Sequence, residues 1–148
     1  MRGEKGSAII SWALLTPLIF FVVFAGFVMI HLNQIRACAA MAARESARDY
    51  GINHKESNAR RVAWDVLKQE GLLSENAAYP KGGSRNFNAD NDVKFTEDGA
   101  WVTCVITYRM PNALPLVPRL AAAEDNPSWW PKEFIFKAAG SAKHEYED

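Results

Sequence analysis

An α+β protein built on one long N-terminal helix is what the sequence predicts, and three observations carry that reading. The stretch from Ala8 to Leu32, AIISWALLTPLIFFVVFAGFVMIHL, holds no Asp, Glu, Lys or Arg. Beyond it, the alanine-rich run from Ala37 to Ala43 continues the helical pattern. In the second half of the chain, Trp101 to Tyr108 alternates between two faces with the period of a β-strand.

The apolar run comes first. At ~1.5 Å per helical residue its roughly 25 residues reach about 37 Å, enough to cross a hydrocarbon core of about 30 Å. In lipid every backbone amide needs an internal partner, so a segment of this kind spans as a helix. Pro17 lacks an amide donor and crowds the preceding turn, which predicts a kink there, with Thr16 helping to satisfy the freed carbonyls. Between Ile10 and Tyr50 only Pro17 and, weakly, Gly26 oppose a helix, and Gly51 is the first good stop signal. The expectation is one helix of about 40 residues, about 60 Å long, half in lipid and half outside.

The outer half carries small residues in rows. Ala39, Ala43 and Ala47 share one line at a spacing of four, and Cys38, Ala42 and Ser46 form a parallel one. Such a face admits another element at close range. Docking on the protein's own domain and contact with a neighbouring helix in an assembly are both open readings, compatible on different faces.

A break at Gly51-Ile52-Asn53-His54 leads to a second helix over Lys55 to Leu73. Ala59, Val62, Ala63, Val66 and Leu67 form its apolar stripe, and Gly71 is its expected C-terminal cap. Residues Ser74 to Asn91 read as a loop. Two strands then flank Glu97-Asp98-Gly99 as a hairpin, with Val102, Cys104, Ile106 and Tyr108 on the expected core face. Pro111, Pro115 and Pro118 end the second strand. Asn112 to Pro131 is an irregular connection with one helical turn expected at Arg119 to Ala123. Strand character returns over Glu133 to Gly140, weakly as far as His144, before an acidic end. A sheet this small needs cover, and the helices supply it. The domain organisation follows: a leader at 1–6, a transmembrane and extended helix at 7–50, and an extracytoplasmic α+β domain at 51–148.

Composition narrows the function. The chain has 148 residues and a formal net charge of +0, so no basic excess points to nucleic acid. Cys38 and Cys104 are the one pair available for a disulfide, and otherwise read as two small buried residues. His31, His54 and His144 stand far apart, with no ligand-like spacing to the cysteines, so no metal and no cofactor are expected. No phosphate loop or nucleophile motif occurs, and an enzyme reading has no residue to rest on. Trp129-Trp130 either plugs the open side of the sheet or forms an exposed contact.

The N-terminus offers three kinds of targeting signal. The apolar run is too long for a cleaved secretory peptide, although A-x-A-like sites follow from Ala37. A lipoprotein signal ending at Cys38 has Arg36 where small or apolar residues belong. Met1 to Gly6, MRGEKG, suits a signal cut before the apolar run, leaving the helix on the mature chain. Positive charges on the two sides do not decide orientation, but a short tail before the helix and a domain after it place the N-terminus in the cytoplasm and the domain outside.

Taken together, Arg2-Gly3-Glu4-Lys5-Gly6-Ser7-Ala8 opening an apolar helix, Leu14-Leu15-Thr16-Pro17-Leu18 within it and the alanine-rich segment beyond resemble the TadE-like pilin family of tight-adherence pili. Lys143-His144-Glu145 at the closing strand is a weaker similarity. The resemblance implies cleavage by a prepilin peptidase after Gly6, with Ser7 as the new N-terminus. It also implies an assembly helix that includes Ser11, Trp12, Pro17, Ala39, Ala43 and Ala47. The implied partners are other pilin subunits, the peptidase, an inner-membrane assembly platform and the lipid bilayer. The family usually carries a glutamate at the fifth mature position, where this chain has Ser11, which offers a hydrogen bond but no charge. The expected function is that of a minor pilin or pseudopilin. A signal-anchored domain that does not polymerise is the alternative, and a soluble protein released by a cut near Ala39 to Ala43 a third.

Overall fold

The computed structural model describes residues 3–82, 87–111 and 133–145, with side chains described from residue 11 onward. Its elements are helices α1 (Gly3–Asn53), α2 (Glu56–Gln69) and α3 (Ala89–Asp92), followed by strands β1 (Val93–Asp98), β2 (Trp101–Pro111) and β3 (Glu133–Lys143). The layout of a long apolar N-terminal helix, a second helix and a small antiparallel sheet is α+β. Two compact units share α1: Met1–Gln34 and Ile35–Asp148.

The described residues of the first unit are all helical. From Leu18 to Phe24 seven consecutive apolar side chains are exposed, nearly two full turns, so the chain itself covers no face of this segment. Helix α1 runs unbroken through Pro17. The Thr16 hydroxyl donates to the Trp12 carbonyl at 2.7 Å. That carbonyl neighbours Ala13's, which loses its helical donor to the proline ring.

The second unit has two layers. The outer part of α1 and helix α2 form an antiparallel pair lying on one face of a sheet ordered β1-β2-β3. Their antiparallel sense is fixed at both ends. The Cys38 thiol lies 3.7 Å from Glu70 Oε2, and the Ser46 hydroxyl donates to the Ala59 carbonyl at 2.7 Å. On α1, Ile35, Ala39, Ala42, Ala43, Ser46 and Ala47 are buried, and on α2, Ala59, Ala63, Trp64 and Leu67. The expected α2 stripe is present, but Trp64 belongs to the core as well, edge-on to Tyr79 and under the Lys68 ammonium. Helix α2 ends at Gln69, short of the expected Leu73, in a Schellman motif. Gly71 takes φ +73, its amide donates to Lys68 O, and the Leu72 amide reaches back to Leu67 O.

In the sheet, β2 is central and antiparallel to both neighbours. Val102, Cys104, Ile106 and Tyr108 form its buried face, as their alternation predicts. Opposite them in register on β3 stand Ala142, Gly140, Ala138 and Phe136. The hairpin turn differs from the expected Glu97-Asp98-Gly99. Asp98 pairs with Trp101, so Gly99 and Ala100 are its central residues. Only Gly99 has positive φ (+59), the pattern of a type II′ turn, whose twist matches the strands.

Two further expectations are corrected. Gly51 does not end α1, which continues to Asn53, and His54 takes the left-handed conformation (φ 51) after it. Gly51 is needed for another reason: a Cβ there would press on the Lys143 carbonyl at 3.0 Å, where the end of β3 passes the helix. The segment before β1 is more ordered than a loop. Asn88 caps α3, and the buried Asp92 carboxylate accepts from the Asn88 amide and pairs with Arg109 at 2.6 Å. The expected helical turn at Arg119 to Ala123, the Trp129-Trp130 pair and the last three residues lie outside the described residues.

Candidate functional site

Helix α1 carries every position on which an assembly reading depends. Gly6 and Ser7 lie within its first turns, and their side chains are outside the described ones. Ser11 is exposed, and Trp12 is 66% exposed. The segment from Ser11 onward is long and apolar enough to cross a membrane and is a candidate span or signal anchor.

The alanines of the outer half serve a different purpose from the one the resemblance implies. Ala39, Ala43 and Ala47 are all fully buried within the protein's own domain. The cause is the helix–sheet distance. At Gly140 on β3 a Cβ would fall on the backbone of Ala43 and Arg44, so α1 touches the strand main chain to main chain. Cys104, beside Gly140 in register, and Ser46 and Ala47 on the helix are small for the same reason. Those three alanines are therefore spent on intramolecular docking and offer no surface to another subunit. The outer half instead exposes Ala37, Met41, Arg44, Glu45 and Arg48.

The two cysteines are free thiols. Cys104 sits next to Ser46, eight residues along α1 from Cys38, which is ~12 Å at helical rise and beyond the reach of a disulfide. Burial pushes the Cys104 thiol up to about 11, with the Ser46 hydroxyl opposing the rise. Burial, and then the charge and hydrogen bond of Glu70, also raise Cys38.

Where α1 ends, the fold gathers residues that no sequence spacing relates. The His54 and His144 rings stack with centroids 5.0 Å apart and planes 12° apart. Tyr50 lies 6.4 Å from each of them and stacks on Phe95 at 4.9 Å. Its hydroxyl donates to Glu97 Oε1 at 2.6 Å, and that bond, with burial and the nearby carboxylates, raises its pKa. The amides of His144 and Glu145 complete the junction by donating to Ala100 O and Gly51 O. Helix α1 supplies Tyr50, the residue just after it is His54, the hairpin supplies Phe95 and Glu97, and the residue just after β3 is His144. In sequence the histidines look unrelated; only the return of β3 to the end of α1 joins them. Among the described residues no three His, Cys, Asp or Glu side chains gather as a metal site.

Comparison with protein-family models, curated proteins and solved structures gave no match to this chain.

Proposed function

We propose that the chain is a pilin-like structural subunit, a minor pilin or pseudopilin whose apolar helix is held in the membrane before assembly and packs against other subunits within it. The observation that carries this reading is α1 itself. It is one unbroken helix over Gly3–Asn53, apolar on all sides in its first part and built into a small α+β domain in its last. An anchor alone needs about 20 residues; the further turns of α1 are part of the domain's own core, so membrane segment and domain share one continuous helix, the layout that supports a pilin-like subunit. With Ala39, Ala43 and Ala47 consumed by the domain, subunit contacts fall on the apolar segment and on the Met41, Arg44 and Arg48 face. In this reading a prepilin peptidase cuts between Gly6 and Ser7.

The burial of those alanines, together with the uncharged Ser11, favours a second reading: a signal-anchored domain that binds an envelope partner without polymerising. Intact-mass measurement on membrane-fraction protein separates the two. In cells with the matching peptidase the first expects a chain beginning at Ser7 and loss of cutting in Gly6→Val. A mature chain still beginning at Met1 would reject it.

A further inference from the structure

We propose that β3 of one copy of this chain pairs edge to edge, in the parallel sense, with β1 of the next, so that assembled copies share one continuing sheet. The proposal rests on the reading of the chain as an assembling subunit. Among the described residues β1 and β3 are the outer strands of the sheet, each with one edge left unpaired, and an unpaired edge is a template for another strand. Both run antiparallel to β2 and therefore parallel to each other. A neighbour added in the same orientation thus offers its β1 to β3, and every copy keeps the orientation that subunits leaving one membrane need. Such a contact joins two different surfaces, so it repeats from copy to copy instead of closing on a pair.

Charge selects this partner. Lys94 and Asp98 on β1 and Glu133 and Lys137 on β3 are all exposed. In register they stand beside Val105, Trp101, Pro111 and Thr107, on the sheet face away from the helices. None of the four opposes a charged residue within its own sheet, and none is in an ion pair among the described residues. Each strand spaces its two charges four residues apart, with the signs in opposite order. With Lys94 beside Glu133, Asp98 therefore falls beside Lys137. No other register with matching faces aligns both pairs. Lys94 beside Lys137 or Lys143, or Asp98 beside Glu133, sets like charges together, and Asp98 beside Lys143 leaves Lys94 against Ala139. Opposite charges directly across neighbouring strands stabilise the pairing, like charges oppose it, and a slip by one residue turns the strand over. The same register sets the half-buried Phe95 beside the half-buried Phe134 on the helix-facing side, where each covers part of the other.

The test is cross-linking of the full chain in membranes of cells carrying the assembly machinery. Thr96 and Ile135 are both exposed and lie opposite each other in this register, on strands about 4.8 Å apart. Thr96→Cys together with Ile135→Cys, on a Cys38→Ser background, should give dimers and larger species with a short bis-maleimide. Either new cysteine alone should give none. Lys94→Glu with Asp98→Lys should cut the cross-linked fraction about tenfold, because two favourable cross-strand pairs become like-charge pairs. Adding Glu133→Lys and Lys137→Glu should restore it, a rescue that a merely damaged strand would not allow. Phe20→Cys on the same background reports assembly independently. Linkage through residue 20 with none between residues 96 and 135 would overturn the edge pairing and leave assembly standing, whereas linkage at neither place would overturn both. Dimers from Thr96→Cys alone, or a charge reversal that the compensating substitutions fail to rescue, would also overturn the edge pairing.

Discussion

Gly140 and Ala43 set how closely the sheet approaches α1, and the pair explains why small residues crowd this part of the chain. With no room between strand and helix backbones, a larger side chain must push the layers apart. Gly140→Val is predicted to cost about 1–3 kcal/mol, the usual range for overpacking, read from the denaturant midpoint at unchanged slope. Stability equal to the native chain would show that the layers are not in contact there. The thiols give a second prediction at this scale. With Cys104 at about 11, roughly one molecule in a thousand carries its thiolate at pH 8. Iodoacetamide should therefore leave Cys104 unmodified in the folded chain and label it fully in denaturant. The sequence reading found the rows of small residues, but not what they face. Spacing along a helix shows that a face is small; it does not say whether a strand or another subunit fills it.

Helices and strands were legible in proportion to how far local pattern decides them. The buried face of β2 follows from alternation alone, and the α2 stripe from a period of 3.6. Trp64 lies outside the expected stripe, and it is covered by Tyr79 from beyond the helix as well as by Lys68 one turn along. Glycine commonly follows a helix, which makes Gly51 a stop signal in the sequence, yet here it is a contact point with β3. Gly71 does match the capping rule, having φ +73 and both Schellman bonds. Gly71→Ala should then cost about 1 kcal/mol, since L-residues are disfavoured in the left-handed region. Gly51→Ala should act differently, by loosening the Gly51–Lys143 contact and lowering protection of the Glu145 amide. An effect of Gly51→Ala confined to helix content would contradict its role as a contact. The His54–His144 junction was illegible because it is purely tertiary: the end of a helix and the end of the last strand meet only once the sheet has formed.

At the scale of the whole molecule, the two units divide the work. The unit from Ile35 has its own core, with Ile35, Leu67 and Ile106 fully buried, and Leu67→Ala should cost about 2–5 kcal/mol. Among its described side chains the first unit has none buried, and its apolar residues are mostly exposed, a surface suited to lipid or to other helices. The proposed function turns on which of these it meets. Cysteine cross-linking answers that most directly. Phe20→Cys combined with Cys38→Ser places one accessible thiol in the exposed apolar segment, while Cys104 stays buried. In cells carrying the assembly machinery, oxidation should link neighbouring copies through residue 20 into dimers and larger species. A chain that remains monomeric there, while a control cysteine pair in another membrane protein cross-links, would contradict assembly through α1 and leave the helix an anchor.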